Sequence, residues 1–197
     1  YMTYLALKNA KMSTLRRRLV SIGVIHRLKG HYLDAKHPLI IENLMGIKRK
    51  KGNFQRGKKP ILINQLRAIV NVIDNEKIKE IKKIRDKTII LIGFGGGFRR
   101  VELISIDHED LEFVSEGVKI IVRRSKTDQF GEGMIKALPY FSNQTYCPVL
   151  HLKRWLELSN IKSGPIFRRF SKGLKLSDNR LTDQSVALLL KEYLSHL

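Results

Sequence analysis

The chain has 197 residues, of which 43% are hydrophobic and 28% charged, a balance typical of a folded protein with one ordinary domain or two small ones. No apolar run approaches the roughly 20 residues of a membrane-spanning helix, and we expect no signal peptide. The single cysteine, Cys147, excludes an internal disulfide and a site with several thiolate ligands. We expect a cytoplasmic protein. Because the chain begins with Tyr1 and its first Met is at position 2, we also expect an excerpt from a longer protein.

The charge is strongly positive and unevenly distributed. Lys and Arg number 38 against 18 Asp and Glu, which gives a net charge of +20. Residues 1–60 hold 15 of the basic side chains and only 2 of the acidic ones. Such a surface repels itself unless a polyanion compensates it, and nucleic acid does so with release of counterions. Nucleic acid is therefore the predicted partner. A solvated basic surface or a membrane-surface protein is the alternative, although no amphipathic lipid anchor is evident.

A first helix is predicted to begin at Ser13 or Thr14 and to end near Gly30. Its apolar positions recur at spacings of three and four residues: Leu15, Leu19, Ile22 and Ile25. Three arginines fall in the predicted first turn, where the helix dipole disfavours cations and a bound phosphate would offset the cost: Arg16, Arg17 and Arg18. We expect them to contact DNA, with a solvated basic face as the alternative.

A second helix is predicted to begin at Pro38, because proline suits the first helical position. It is expected to bury four apolar side chains: Leu39, Ile41, Leu44 and Met45. Its last turn holds four basic residues that suit the helix dipole without any function, and that we also expect to contact DNA: Lys48, Arg49, Lys50 and Lys51. Residues 52–60, GNFQRGKKP, are the predicted linker because they contain two glycines and a proline.

The rest of the chain is predicted to be mainly helical with a small three-stranded antiparallel sheet, so that the whole chain is α+β. Helices are predicted from Asn64, from Ile84 to the glycines at 95–97, over 101–106, over 148–158 and after Thr182. Strands are predicted over 111–114, 118–124 and 134–138, with a loop between the second and third strands.

Two segments carry residue types suited to phosphate chemistry. In the first, GFRRVEL, Arg99 and Arg100 follow a glycine-rich turn and can present a guanidinium group to a phosphate, while Glu102 can orient Arg99. In the second, RRSKTDQ, Lys126 lies in the loop after the second strand and can give a proton to a leaving oxygen. Taken singly, each has an ordinary alternative, a surface ion pair or a solvated lysine.

Together these segments resemble a known family. GFGGGFRRVELISIDHEDLEF, VRRSKTDQFGEG, CPVLHLKRWLELSNIKSGPIF and RLTDQSVALLLKEYL resemble most of the catalytic domain of the tyrosine recombinases, or phage integrases. STLRRRLVSIGVIHRLKG and HPLIIENLMGIKRKKG look like the helical core-binding domain of that family. The resemblance implies a core-binding domain (a DNA clamp) in residues 1–51, incomplete at its N-terminus. It further implies a linker in 52–60 and a catalytic domain in 61–197 that is truncated at its C-terminus.

The resemblance also implies roles for particular residues. Arg99 would hold the scissile phosphate, Glu102 would support Arg99, and Lys126 would protonate the departing 5′ oxygen. A tyrosine nucleophile would form a 3′-phosphotyrosyl link, with guanidinium groups and no metal or other cofactor stabilising the charge. Further DNA contacts are expected from Arg100, Arg123 and Arg124.

The match is incomplete. The family's His-x-x-Arg motif and its nucleophilic tyrosine find no counterpart in these residues, and Tyr193 lies on an apolar stripe that predicts core packing. We therefore expect the 197 residues alone not to cleave DNA. The full protein is expected to be a bacterial or phage-encoded, nucleoid-associated enzyme of DNA recombination and integration, acting on double-stranded DNA as a homo-tetramer. Two alternatives stay open: a non-catalytic DNA-binding regulator related to integrases, and an unrelated basic DNA- or RNA-binding module.

Overall fold

The computed structural model describes residues 1–52, 57, 60–123 and 133–197 and divides the chain into two compact units, Tyr1–Lys59 and Pro60–Leu197. The division falls inside the segment 52–60 that was predicted as a linker. The described residues confirm the predicted α+β class with a small three-stranded antiparallel sheet. None of the described helices has the length and apolarity needed to cross a membrane.

The first unit contains three helices: α1 (Met2–Leu7), α2 (Met12–Leu28) and α3 (Pro38–Lys51). Its buried core is small and consists of Ala6, Met12, Leu15 and Ile47. Pro38 occupies the start of α3 as predicted, and the preceding His37 caps that helix by accepting a hydrogen bond from the Leu39 N–H at Nδ1 over 3.3 Å. The unit is held together by the packing of these few buried side chains from its three helices.

The start of α2 differs from the prediction. The helix begins at Met12, and Lys11 rather than Ser13 or Thr14 is the residue that precedes it. Burial of Met12 against the core of the unit extends the helix upstream of the residues with the better capping side chains. The three arginines 16–18 therefore lie in the second turn, where the helix dipole exerts little effect, and their predicted place in the first turn is wrong.

The predicted apolar face of α3 is largely exposed. Leu39 is 72% exposed, Met45 is 53% exposed and Ile41 is 37% exposed, whereas Ile47 is buried. Of the four residues expected to be buried, only Leu44 packs against the core. A unit of only three helices buries few side chains, so the apolar positions on the other helix faces remain in contact with solvent within this unit.

The second unit is built around α5 (Glu80–Gly95), which is buried from Ile84 to Ile92. It packs against α4 (Ile63–Asn75), α6 (Arg100–Ser105), α7 (Pro148–Ser159) and α8 (Asp183–Leu194). The predicted cap of α8 is confirmed, since the Thr182 hydroxyl accepts from the Ser185 N–H over 3.2 Å. The predicted cap of α4 is wrong, because that helix begins at Ile63 and the Gln65 side chain accepts from the Leu62 N–H. The capping hydrogen bond is therefore accepted by Gln65, in the first turn of α4, and not by the Asn64 side chain.

The three-stranded sheet has the order β1 (Leu111–Val114), β2 (Gly117–Val122) and β3 (Met134–Pro139), with both pairings antiparallel. Gly117 opens β2, where a Cβ atom would lie 2.0 Å from the carbonyl oxygen of Leu138. Only glycine fits such a close approach between two strands.

A second hairpin was not predicted. It pairs β4 (Arg168–Phe170) with β5 (Leu176–Arg180), between the helices predicted over 148–158 and after Thr182, where no strand was predicted. Both strands are short, and neither contains a β-branched residue or the alternation that marks a strand. The hairpin is stabilised by an ion pair between its own strands, Arg168 to Asp178 at 2.6 Å, and by contacts with other elements, such as Arg180 Nη1 to the main-chain oxygen of Ile104 at 2.7 Å.

A buried ionic cluster joins α5 to α8 and β4. The fully buried Asp86 accepts from Arg85 Nε and Nη2 at 2.9 and 2.7 Å, and from Lys82 Nζ and the Tyr193 hydroxyl at 3.0 and 2.8 Å. Arg85 also donates to the main-chain oxygen of Arg168 over 3.2 Å. Burial and then the negative charge of Asp86 raise the pKa of the Tyr193 phenol far above its ordinary value. Tyr193 is thus a core residue, as its apolar stripe predicts.

Replacing Asp86 with Ala tests this cluster. Because the substitution leaves the buried guanidinium of Arg85 without its partner, we expect the free energy of unfolding to fall by about 3–5 kcal/mol. Urea unfolding followed by the fluorescence of Trp155, the only tryptophan and a buried residue of the same unit, measures the change. The control is Glu112→Ala, which breaks an exposed pair with Lys119 and should cost no more than about 0.5 kcal/mol. Equal effects of the two substitutions would contradict the prediction.

Candidate functional site

The turn between α5 and α6 positions the first candidate residue. After α5 ends at Gly95, Gly97 adopts a φ of +55°, a left-handed conformation that favours glycine. A Cβ atom on Gly96 would lie 2.3 Å from the ring of Phe98, so the turn is closely packed. Arg99 follows this turn and directly precedes α6, and half of the Arg99 side chain is exposed.

The structure brings Arg99 and Glu102 together. The Glu102 side chain is 4% exposed, and its Oε1 atom accepts from Arg99 Nη1 over 2.6 Å. Its Oε2 atom accepts from the main-chain N–H of Arg99 over 3.0 Å. One carboxylate therefore caps α6 and also fixes the direction of the guanidinium group, which is the geometry expected from the spacing of these two residues.

The ionisation of Glu102 reflects these contacts. Burial disfavours the charged carboxylate, but the hydrogen bonds from the Arg99 main chain and side chain and the charges of Arg99 and Lys136 outweigh it. The pKa of Glu102 consequently lies below its ordinary value. The carboxylate is negatively charged at neutral pH and holds a charged arginine at the surface.

Lys136 of β3 also belongs to this site, although it was not among the predicted site residues. Its Nζ atom donates to the main-chain oxygens of Gly96 and Gly97 at 2.9 and 3.0 Å and lies 3.7 Å from Glu102 Oε2. The same atom is 4.4 Å from the centre of the Phe98 ring. A signal was present in the sequence, because strand alternation places Lys136 on the same face as the buried Leu138.

The second candidate segment is described only in part. Lys126 and Arg124 lie outside the described residues, so the predicted convergence of Lys126 and Arg99 stays a prediction. Arg123 is described, and its Nε atom donates to the buried Asp110 over 2.7 Å while its Nη1 atom lies 3.6 Å from Asp107. The hydrogen bond to Asp110 and the nearby carboxylates raise the pKa of Arg123.

Asp107 connects Arg123 to the second hairpin. Arg180 of β5 pairs with Asp107 and also donates to the main-chain oxygen of Ile104, at the end of α6, over 2.7 Å. The end of β2, the end of α6 and β5 are therefore joined by charged side chains. The sequence did not single out Asp107 or Arg180, because their partners are far away in the chain.

The remaining predicted DNA-contacting residues are exposed. Arg100 follows Arg99 at the start of α6, and its side chain faces solvent. In residues 1–52, no carboxylate lies within ion-pair distance of the basic residues of α2 and α3 that were predicted to contact DNA: Arg16, Arg17, Arg18, Lys48, Arg49, Lys50 and Lys51. Arg18 donates instead to the Tyr1 hydroxyl over 2.9 Å, and Lys51 to the main-chain oxygen of Ala10 over 3.4 Å.

This arrangement suits an anionic ligand. A guanidinium group that is half exposed and oriented by a buried carboxylate can donate hydrogen bonds to phosphate oxygens with little further loss of side-chain freedom. Across residues 1–52, 57, 60–123 and 133–197, no group of three or more His, Cys, Asp and Glu side chains is placed to hold a metal ion.

The lowered pKa of Glu102 predicts how the stability of this site depends on pH. Because the folded value lies below the ordinary 4.5, the stabilisation is fully present above pH 4.5 and is lost as the pH falls through the folded value. At pH 7 we expect Glu102→Gln to lower the free energy of unfolding by about 1.5–3 kcal/mol, the range for hydrogen bonds to charged groups. The difference between the two proteins should shrink towards pH 3 in Trp155-monitored urea unfolding. A difference that is the same at pH 3 and pH 7 would contradict this account.

Comparison with known proteins identifies relatives. No protein-family profile matches the chain. Over 188 residues, which are 94% of this chain and 54% of the relative, the chain is 40% identical to an integrase/recombinase xerD homolog of Selenomonas ruminantium. The chain thus spans about half the length of this curated relative.

Two solved structures share the fold. They are the XerH site-specific recombinase bound to difH substrate in a pre-cleavage complex, and XerH bound to a palindromic difH substrate in a post-cleavage complex. Each matches with a TM-score of 0.50 and 15% identity, over 96% of this chain and 54% of the other. At that identity the likeness shows the fold alone. The 40% identity to an integrase/recombinase runs along nearly the whole of this chain, and it supports the resemblance to the tyrosine recombinases that the sequence motifs indicate.

Proposed function

We propose that this chain serves site-specific DNA recombination, in which DNA is cut and rejoined through a 3′-phosphotyrosyl intermediate. The observation that carries the proposal is the Arg99–Glu102 pair, a half-exposed guanidinium held by a buried carboxylate. It stands in a chain that is 40% identical to an integrase/recombinase. The XerH site-specific recombinase structures that share the fold are bound to a difH substrate.

In this proposal Arg99 binds the non-bridging oxygens of the scissile phosphate and stabilises the charge that develops during attack. Glu102 holds the guanidinium in place, so that little reorganisation accompanies the reaction. Lys126, which lies outside the described residues, gives its proton to the departing 5′ oxygen. Tyr193 does not serve as the nucleophile, because its hydroxyl donates to Asp86 in the buried ionic cluster.

Double-stranded DNA is the proposed partner, bound largely through its phosphates. The support comes from the net charge of +20 and from exposed basic residues without carboxylate partners in the described part of the first unit. We assign these contacts to the predicted residues: Arg16, Arg17, Arg18, Lys48, Arg49, Lys50, Lys51, Arg100, Arg123 and Arg124. Arg123 contributes less than the others, because it pairs with Asp110. The full protein would act in the cytoplasm on chromosomal or phage DNA, as a homo-tetramer that joins two duplexes.

Substituting Arg99 tests the active-site role in the protein encoded by the complete reading frame. Because Arg99 would act mainly in the transition state, Arg99→Ala should slow formation of the covalent protein–DNA complex by about 100-fold or more. Its affinity for the same duplex should stay within about threefold, since phosphate contacts elsewhere dominate binding. A nicked duplex carrying the recombination site traps the covalent complex for quantification on a denaturing gel.

The matched control is Arg154→Ala, which removes an exposed arginine of α7 that pairs with Glu80 at 2.9 Å. This variant should cleave like the wild type. Equal losses of affinity and cleavage in Arg99→Ala would count against an active-site role. A wild-type protein that binds the duplex but never forms the covalent complex would indicate the alternative function, a non-catalytic DNA-binding regulator.

The three arginines of α2 provide a separate test in this chain alone. Each phosphate contact contributes about 0.9 to the slope of log affinity against log salt concentration. Replacing Arg16, Arg17 and Arg18 together with Gln should therefore reduce the slope by about 2–3, as measured by fluorescence anisotropy with a labelled duplex. Arg123→Gln serves as a comparison, because Arg123 pairs with Asp110 and should change the slope less than one of the α2 arginines. An unchanged slope in the triple variant would refute contact by α2.

A further inference from the structure

Lys136 lies in an unusual place for a lysine. Its side chain is only 20% exposed and extends from β3 towards the turn between α5 and α6. Lysine is seldom buried unless its charge is paired, because removal of an ammonium group from water is costly. The surroundings of Lys136 supply that pairing through the Glu102 carboxylate, two main-chain oxygens and the ring of Phe98.

The two main-chain contacts hold the turn that leads to Arg99. The oxygens of Gly96 and Gly97 lie at the C-terminal end of α5, where carbonyl groups lack partners within the helix and the helix dipole favours a cation. Lys136 donates to both oxygens at 2.9 and 3.0 Å, so that β3 is tied to a glycine turn that no side chain of its own could stiffen. A shift of this turn would move Arg99, which follows two residues later.

The contact with Glu102 sets the charge of the site. Glu102 lies between two cations, with one oxygen 2.6 Å from Arg99 Nη1 and the other 3.7 Å from Lys136 Nζ. The three side chains together carry one net positive charge. Removal of Lys136 would take one positive charge away from the side of Glu102, so that an approaching phosphate would meet a less positive group.

We propose that Lys136 is a positioning residue for Arg99, which holds the glycine turn and compensates the charge of Glu102 so that Arg99 can act on the scissile phosphate. This inference rests on the proposed function. Lys136 acts through Arg99 rather than on DNA, because its ammonium group is directed at the glycine oxygens and Glu102 and little of its side chain is exposed.

The test uses the protein encoded by the complete reading frame and measures single-turnover formation of the covalent complex together with duplex affinity. Lys136→Met keeps the length of the side chain but removes its charge, and we expect the rate to fall by about 10–100-fold, as a small misplacement of a catalytic group would cause. The affinity should change by less than about threefold, because one charge among many phosphate contacts is lost. Lys136→Arg keeps the positive charge and should retain most of the wild-type rate. The control is Lys119→Met in β2, an exposed lysine paired with Glu112, which should have no effect.

A double-mutant cycle separates positioning from simple support of the fold. In the Glu102→Gln background residue 102 carries no negative charge for Lys136 to compensate. Lys136→Met should therefore reduce the rate by a smaller factor than in the wild-type background. A merely structural lysine would cost the same factor in both backgrounds, and that result would overturn the proposal. Wild-type activity of Lys136→Met would also overturn it.

Trp155 fluorescence shows whether each variant is folded. If Lys136→Met lacks the cooperative unfolding transition, Lys136→Gln replaces it, since an amide can donate to the glycine oxygens without carrying charge. A smaller loss of rate is then expected, because only the charge compensation is removed, and a wild-type rate would overturn the proposal. Arg99→Ala, assayed in parallel, distinguishes failure of the proposed function from failure of the role proposed for Lys136. If Arg99→Ala cleaves normally the proposed function fails, whereas if only the Lys136 variants cleave normally this inference alone fails.

Discussion

The bidentate contact between the buried Glu102 carboxylate and Arg99 is the interaction on which the candidate site depends. One oxygen accepts from the main chain and starts α6, and the other holds the guanidinium at the surface. A single buried charge thus determines both where a helix begins and where a cation points. Without the carboxylate, Arg99 would keep its charge but lose its direction, and a phosphate would have to order the side chain on binding.

Charged groups in the second unit follow a common arrangement. Asp86, Glu102 and Asp110 are buried, and each of them contacts a side chain of another element, respectively Tyr193, Lys136 and Arg123. These pairs hold α8, α6 and the end of β2 in place. Among the described basic side chains only Arg85 and Lys87 are buried, so most of the others remain open to a polyanion.

Helices, strands and caps that follow from strong periodicity or a local motif were predicted well. Features that depend on contacts between distant residues were not. The buried stripe of α4, the three strands and the cap of α8 follow from nearest neighbours. The expected caps at Ser13 and Asn64 failed because packing moved the helix starts. The burial expected for Leu39 and Met45 failed because the first unit offers little to cover them. The β4–β5 hairpin was not predicted because its strands are polar and contact distant residues, through Arg85 to the main-chain oxygen of Arg168 and through Arg180 to Asp107.

The sequence by itself determined the resemblance to the tyrosine recombinases, the α+β class and the pairing of Arg99 with Glu102, since residues three apart at a helix start lie within one turn of each other. Only the tertiary structure decided that Lys136 joins them, that Arg123 pairs with Asp110 and that Tyr193 is bound to Asp86. The reason is physical. A contact within one turn follows from backbone geometry, whereas Lys136 meets the oxygen of Gly97, 39 residues earlier in the chain, only because a sheet packs against the end of a helix.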